Sequence, residues 1–464
     1  MRGRIVLAGL MFVVSGCMLG PDYRTPEVET PERFKQPAKE GESIANLDWW
    51  NLFDDPNLRD LINLALEENK ELAIAVSRIE EARARYGFVR ADLYPQIDGG
   101  AAVSRGNPFG AILPNAATTD VYSLAADFSW EIDLFGKLRR SNEAARAELL
   151  ATEEARRTVT IGLIADVASS YLLLRDFDTR LEISQRTLQG RQESLEIIQA
   201  RFDQGIVPML DVNQAEIEEY DAAAQVASFQ RSIIEAENLI NVLVGRNPEA
   251  IFARRAGVVD MAPPEVPAGL PSELLERRPD VREAAQSLAA QTAQVGIAEA
   301  LRFPSLSLTG TLGLASNDLS DLNSGDSKIW NIGASFFGPI YNAGKNKRRV
   351  EVEVARTEQV LRRYELTVLQ ALREVEDALA GIRTYYDEAL ARQRQVTAAR
   401  SASTLSRARY DGGVTSYLEV LESDRSLFRA ELAESAVRRE QLVSYVELYK
   451  ALGGGWIQPT EVSD

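Results

Sequence analysis

The chain is written twice. The stretch RFDQGIVPMLDVNQAE begins at Arg201, and RYDGGVTSYLEVLESD begins 208 residues later at Arg409. Each runs arginine, aromatic, aspartate, then a glycine, a β-branched pair and a Leu-acid-Val triplet. The echo extends well beyond this turn. YPQIDGGAAV from Tyr94 matches FPSLSLTGTL from Phe303, and FSWEIDLFGKLRRSNEA from Phe128 matches FFGPIYNAGKNKRRVEV from Phe336. NLINVLVGRNP from Asn238 matches VELYKALGGGW from Val446. Order and spacing are kept, so both halves must build the same supersecondary unit. Two structural repeats are expected, 47–260 and 272–452, joined by the Pro-rich link MAPPEVPAGLP at 261–271.

Within each repeat a long stretch passes without proline. From Gly136 to Gly205 the chain is rich in Ala, Glu, Arg and Leu, and Gly344 to Gly412 repeats the pattern. Such composition predicts long helices that pair with one another. Nearly seventy residues at 1.5 Å each is roughly 100 Å of helix. Each long helix ends at the echoed glycine turn and a return helix follows, so helical hairpins are expected at about 137–246 and 344–452.

Between the short leading helices and each hairpin, hydrophobicity alternates with period two. Strands are expected at about 97–104, 121–132, 305–314 and 329–337. In VYSLAADFSWEI, Tyr122, Leu124, Ala126, Phe128, Trp130 and Ile132 share one face, opposite Ser123, Asp127 and Ser129. Leu306, Leu308, Leu312 and Leu314 alternate likewise with Ser307, Thr309 and Thr311. The pattern fits strands of a soluble sheet, and it also fits ten-residue spans of an outer-membrane barrel. Four strands cannot close a barrel alone. In lipid an open edge leaves backbone groups unpaired at a cost of several kcal/mol each, so membrane-spanning strands would require an oligomer that pools them.

Composition narrows the function. Of 464 residues, 45% are hydrophobic and 26% charged, the balance of an ordered protein. The net charge of −17 argues against a nucleic-acid partner, which needs a basic face. No apolar run of 18 residues follows the first residues, so no transmembrane helix is expected after them. Histidine is absent, which removes the usual general base and the commonest metal ligand. There is no phosphate-binding glycine loop, and the carboxylates are spread along helices. An enzyme is the weakest reading.

The first residues are an address. MRGRIVLAGLMFVVSGC has two arginines, a short apolar core and small residues before the sole cysteine, Cys17. Residues 1–16 read as a signal peptide, and Val14-Ser15-Gly16-Cys17 resembles the bacterial lipobox, in which the cysteine is acylated. Residues 17–46 are then a lipidated extended segment and 453–464 a C-terminal tail. Met18 follows the cysteine where lipoproteins retained in the inner membrane typically carry Asp. That rule sends this chain to the outer membrane, where the acyl chains anchor firmly.

Taken together, LDWWNLFDDPNLRDLINLALEENKEL from Leu47, LLERRPDVREAAQSLAAQTAQVGIAEALRFPSLSLTG from Leu274, SYLEVLESDRSLF from Ser416 and YKALGGGW from Tyr449 resemble the outer-membrane factors of bacterial tripartite efflux pumps. These form the TolC superfamily, and the likeness is to its OprM-like lipoprotein branch. The resemblance implies an α+β membrane protein: a homotrimer in which each subunit gives four strands to a twelve-stranded outer-membrane β-barrel, continuous with a long periplasmic α-helical barrel. It implies a passive exit duct that partners a periplasmic adaptor and an inner-membrane transporter of the RND type. No cofactor is implied beyond the covalent lipid on Cys17.

The resemblance also places a periplasmic gate in YLEVLESDRSLF. Leu418 takes the apolar constriction, Glu422 an acidic ring, and Arg425 the cation tying neighbouring helices. The branch more often carries Asp at the position of Glu422 and a neutral polar residue at that of Asp424. Asp424 therefore either adds to the rim or pairs locally. Three symmetric carboxylates would attract cations and titrate as a set. The glycines Gly205, Gly412 and Gly413 read as chain reversals. Around them Ile206, Val207, Leu210, Val414, Thr415 and Leu418 are expected to meet the adaptor's helical hairpin. Trp49, Trp50 and Trp456 read as packing anchors, and Arg277-Arg278-Pro279-Asp280 as a helix start. Type I protein secretion and metal-ion efflux keep the same architecture with other cargo, and the absence of histidine leaves no soft-metal relay to point to. A non-conducting trimeric scaffold or adhesin is the reading from a different class.

Overall fold

The computed structural model describes residues 18–35, 55–106, 118–251 and 277–454. Cys17, the signal peptide, the Pro-rich link and Trp49, Trp50 and Trp456 lie outside them. The described chain runs α1 (Pro56–Glu68), α2 (Lys70–Ala91), β1 (Gln96–Gly106), β2 (Thr119–Ile132), α3 (Lys137–Asp203), α4 (Met209–Leu243), α5 (Pro279–Ala300), β3 (Ser305–Ser316), β4 (Lys328–Phe337), α6 (Lys345–Asp411) and α7 (Tyr417–Ala451). The long helices α3 and α6 are both 67 residues, and the return helices α4 and α7 both 35. The offset of 208 residues holds at their ends.

The compact units do not follow the repeats. One gathers the chain up to Glu27 with Arg78–Glu153 and Glu283–Glu365; the other takes Val28–Ser77, Glu154–Arg282 and the chain from Leu366. Each unit therefore holds matching pieces of both halves.

In the first unit the four strands form one antiparallel sheet in the order β1-β2-β3-β4. The repeats meet at its centre, where Leu124 faces Leu314, Phe128 faces Gly310 and Ile132 faces Leu306. Directly opposed residues share a face, so the register assembles one continuous apolar surface. It contains Ile97, Leu124, Phe128, Trp130, Leu308, Leu312, Trp330, Ile332 and Phe336. Asp98, Ser123, Asp127, Ser129, Thr309, Thr311, Asn331 and Ser335 occupy the other face, where the Thr311 hydroxyl donates to Asp127 at 2.6 Å. Within the chain, β1 and β4 are edges.

In the second unit a core gathers Leu58 and Ile62 of α1, Tyr171 and Leu172 of α3, Ile240 of α4, Val375 of α6 and Leu448 of α7. Asp55 caps α1 by accepting from the Asn57 amide at 2.9 Å, and it also accepts from the buried Tyr171 hydroxyl at 2.7 Å. One 18-residue window of α3 is apolar enough, with a mean hydropathy of 1.3, to cross a membrane by composition. This departs from the sequence expectation. Most of the window is buried inside the protein, so its apolar side chains serve the helix core.

Candidate functional site

Both helical hairpins reverse direction through the same hydrogen-bonded turn. At the first, the Gly205 amide donates to Phe202 at 2.8 Å and Ile206 donates to Arg201 at 2.9 Å. At the second, Gly413 donates to Tyr410 and Val414 to Arg409, both at 2.9 Å. This paired closure is the Schellman arrangement, which needs one residue in the left-handed region. Gly205 supplies it at φ +71° and Gly413 at φ +72°. Gly412, grouped with them in the sequence reading, has no positive φ. It stands opposite Gln204 in the duplication, and its place in the turn makes no demand that only glycine meets.

Beneath the turns lies a small apolar core of Ile198, Val212, Ala215, Tyr417, Val420 and Leu421, with Phe202, Val207 and Tyr410 packed on it. Burial pushes the Tyr417 phenol up to about 12, so it stays neutral through the physiological range. With Val420 and Leu421 turned inward, α7 presents Leu418, Glu422 and Arg425 at i, i+4 and i+7 along one stripe. Leu418 is 56% exposed and the Glu422 side chain 64%. Arg425 ties helices together, but its partner lies within the same chain. Its Nε donates to Oε1 of Glu218 on α4 at 2.6 Å, while Glu422 stays 3.9 Å away.

Glu218 is the residue that sequence reasoning missed. It is buried, and its other carboxylate oxygen lies 2.9 Å from Nη2 of buried Arg191 on α3. Arg191 also donates to the Glu218 carbonyl at 2.5 Å, and its guanidinium lies 5.2 Å from the Phe428 ring centre. One carboxylate thus joins α3, α4 and α7. A signal was available: Glu218 falls on the apolar stripe of Val212, Ala215 and Ala222, where an acid must find a cation.

Asp424 pairs locally. It accepts from the Ser403 hydroxyl at 2.5 Å and from Arg407 at 2.8 Å, both on α6. Thr415 donates to Glu419, which also faces Arg409 at 3.5 Å. The first reversal differs in kind. Ile206, Met209, Leu210 and Ile217 are exposed there, while Arg201 leaves its own turn to meet Asp411 at 3.2 Å and to lie over the Tyr410 ring at 4.9 Å. Val207 is partly buried against the tip core, whereas Val414 is exposed. Every expected tip residue therefore sits at or beside a reversal, and only some of them offer surface.

Away from the reversals, the segment after Cys17 is clamped. Arg140, 1% exposed, donates to the carbonyls of Leu19 and Gly20 at 3.0 Å each and pairs with Asp22 at 2.8 Å and Glu143 at 2.7 Å. Gly296 makes room for this: a Cβ there would stand 2.8 Å from both Arg140 and the Leu19 carbonyl. In the second unit Arg278, the second arginine of the RRPD stretch, is buried against the Ala451 carbonyl at 2.7 Å and paired with Asp280 and Glu374. Its role is to seat the start of α5.

The family model for "Outer membrane efflux protein" matches residues 61–246 and 270–454. The cation efflux system protein CusC of Escherichia coli O157:H7 is 34% identical over 449 residues, covering 96% of this chain and 97% of that protein. The probable efflux pump outer membrane protein TtgC of Pseudomonas putida is 34% identical over 472 residues, covering 99% and 97%. Among solved structures, a crystal structure of CusC superposes with a TM-score of 0.84 at 34% identity, covering 95% of this chain and all of that one.

Proposed function

This chain belongs to the outer membrane efflux protein family, and we propose that it serves as a homotrimeric exit duct with a gated periplasmic aperture. It is an outer-membrane protein that extends into the periplasm. Three copies pair the free edges β1 and β4 into a twelve-stranded barrel, with the apolar sheet face toward lipid and the Asp127 face toward water. That closure satisfies the backbone groups that a lone four-stranded sheet would leave open in hydrocarbon. Cys17 carries the lipid anchor, and the Arg140 clamp holds the segment next to it.

The observation that carries the gate is the stripe on α7. Leu418 and Glu422 are exposed side by side, and Arg425 holds that helix to Glu218. Around a threefold axis the stripe becomes an apolar ring above an acidic one. The first reversal, with Ile206, Met209 and Leu210 exposed, offers the apolar surface for a periplasmic adaptor, and an inner-membrane transporter supplies the energy. Transport through the duct itself is passive, with no bond made or broken.

Single-channel recording in planar bilayers tests this directly. The parent should show small cation-selective openings, and Leu418→Ala/Arg425→Ala should enlarge them. Parental conductance in the variant sinks the gate assignment; silence in both, with inserted protein, favours a scaffold. For cargo we infer small organic molecules, as the name of the toluene efflux relative TtgC from Pseudomonas putida suggests. A comparable likeness to a protein named for cation efflux supports metal ions as a second reading. Complementation separates them, through recovered tolerance to solvents and drugs or to metal cations.

A further inference from the structure

The two long helices begin alike and are neutralised differently. In α3 the start Lys137-Leu138-Arg139-Arg140 is paired throughout. Lys137 meets Glu131 at 2.6 Å, Arg139 meets Asp133 at 3.2 Å, and Arg140 meets Asp22 and Glu143. In the duplicate the cations are kept as Lys345, Lys347 and Arg348, and Ser141 has become a further cation, Arg349. The acids are gone: Pro339 stands where Glu131 would be and Tyr341 where Asp133 would be. Only Glu351, the counterpart of Glu143, remains, 2.6 Å from Arg348 and 4.0 Å from Lys347. Lys345 and Arg349 are exposed and form no ion pair among the described residues. Lys345 and Arg349 thus add unpaired positive charge to a helix start that is already positive, and an anion from outside would offset it.

We propose that this patch docks the anionic phosphate headgroups of phospholipids in the periplasmic leaflet of the outer membrane. The choice of lipid rests on continuity. The patch follows β4, whose apolar face carries Trp330, Ile332 and Phe336, and between them Ile340 and Tyr341 are exposed. Apolar strand, then aromatic side chains, then cations is the order expected across a membrane interface. A cleft of about 420 Å³ lies at the same level, lined by Lys345, Arg349, Asn342, Phe337 and Pro304. Glu131 and Asp133 reach the same cleft but are occupied by Lys137 and Arg139. The proposal depends on the outer-membrane location and not on the gate.

Native mass spectrometry of the intact, purified oligomer, titrated with phosphatidylglycerol or phosphatidylcholine, tests it. The parent should retain phosphatidylglycerol in preference, and Lys345→Gln/Arg349→Gln should weaken that binding roughly tenfold or more. Lys345→Arg/Arg349→Lys should restore it. A second variant leaves the cations in place: Pro339→Glu/Tyr341→Asp returns the acids of the first repeat and should abolish the preference. Undiminished lipid binding in both variants overturns the proposal. So does full displacement of the lipid by excess inorganic phosphate, which marks a free-anion site. A variant oligomer that dissociates while each surviving oligomer keeps its lipid also overturns it, by assigning the cations to a neighbouring copy. Conductance of the same samples reports separately on the gate, which depends on Leu418 and Arg425.

Discussion

The first and second reversals share their closing hydrogen bonds and cap dihedrals and part company in their side chains. Gly205 and Gly413 differ by one degree in φ. The residues that open the return helices, Pro208 at φ −77°, ψ 159° and Ser416 at φ −79°, ψ 157°, are nearly as close. Yet the stripe Leu418, Glu422, Arg425 of the second corresponds to Leu210, Gln214, Ile217 of the first. One stripe carries an acid and a base, and the other carries neither. Leu210 and Leu418 occupy equivalent places and are 62% and 56% exposed, so exposure does not separate the proposed adaptor contact from the proposed constriction. The charges around each leucine do. Duplication preserved a turn, and divergence at two helix positions left one stripe neutral and the other charged.

That contrast can be broken experimentally, most forcefully at Glu218. Glu218→Ala strands buried Arg191 and part-buried Arg425 without their shared carboxylate. It should cost about 2–4 kcal/mol locally, discounted for the exposure of Arg425, and raise conductance. Ser426→Ala, at the duplicate position, should do neither. Thermal melts together with bilayer recordings check both. If Glu218→Ala melts like the parent, the ion network does not hold the second reversal.

A finer division is expected at the paired leucines. Leu418→Ala should widen the channel with little loss of adaptor binding, whereas Leu210→Ala should weaken adaptor binding and leave conductance alone. Equal conductance changes in the two would make the reversals functionally equivalent. The main-chain identity predicts a symmetric result instead: Gly205→Ala and Gly413→Ala should each cost about 1–2 kcal/mol for a left-handed residue with a Cβ. Unequal losses would mean that surroundings, not backbone, dominate.

The smallest expected effect is at Asp211, the counterpart of Glu419. Partial burial raises its pKa, and among the described residues no cation pairs with it as Arg409 does with Glu419. A raised folded pKa means that the folded state holds the proton more tightly. Its contribution to stability is therefore present at low pH and fades as pH climbs above the ordinary carboxylate range. Asp211→Asn should flatten that slope. A melting profile unchanged between acidic and neutral pH in both proteins would refute the shift.

Much of this was legible beforehand because it is local. Alternation in LSLTGTLGL places β3, and the glycine after Arg-aromatic-Asp places each reversal. Strand limits differ from the expected ones by a residue or two, where period-two signals fade into polar ends. The partner of Arg425 was not legible, since which acid on α4 meets α7 depends on how two hairpins are rotated together. Asp424 was left open between rim and local pairing, and the contact with Arg407 and Ser403 follows from the rotation of α6. The interleaving of the repeats was hidden for a similar reason. Antiparallel pairing of β2 with β3 joins the halves at the sheet centre, a contact between residues too distant along the chain for any local pattern to specify.

That central pairing also sets a timetable. Ile132 cannot find Leu306 until α3, α4 and α5 have all emerged, and contacts so distant along a chain form slowly. The β1-β2 hairpin must meanwhile wait with its hydrogen-bonding edge open beside an apolar face, a state inviting wrong partners. The sheet is complete only when β4, the last strand to arrive, reaches β3.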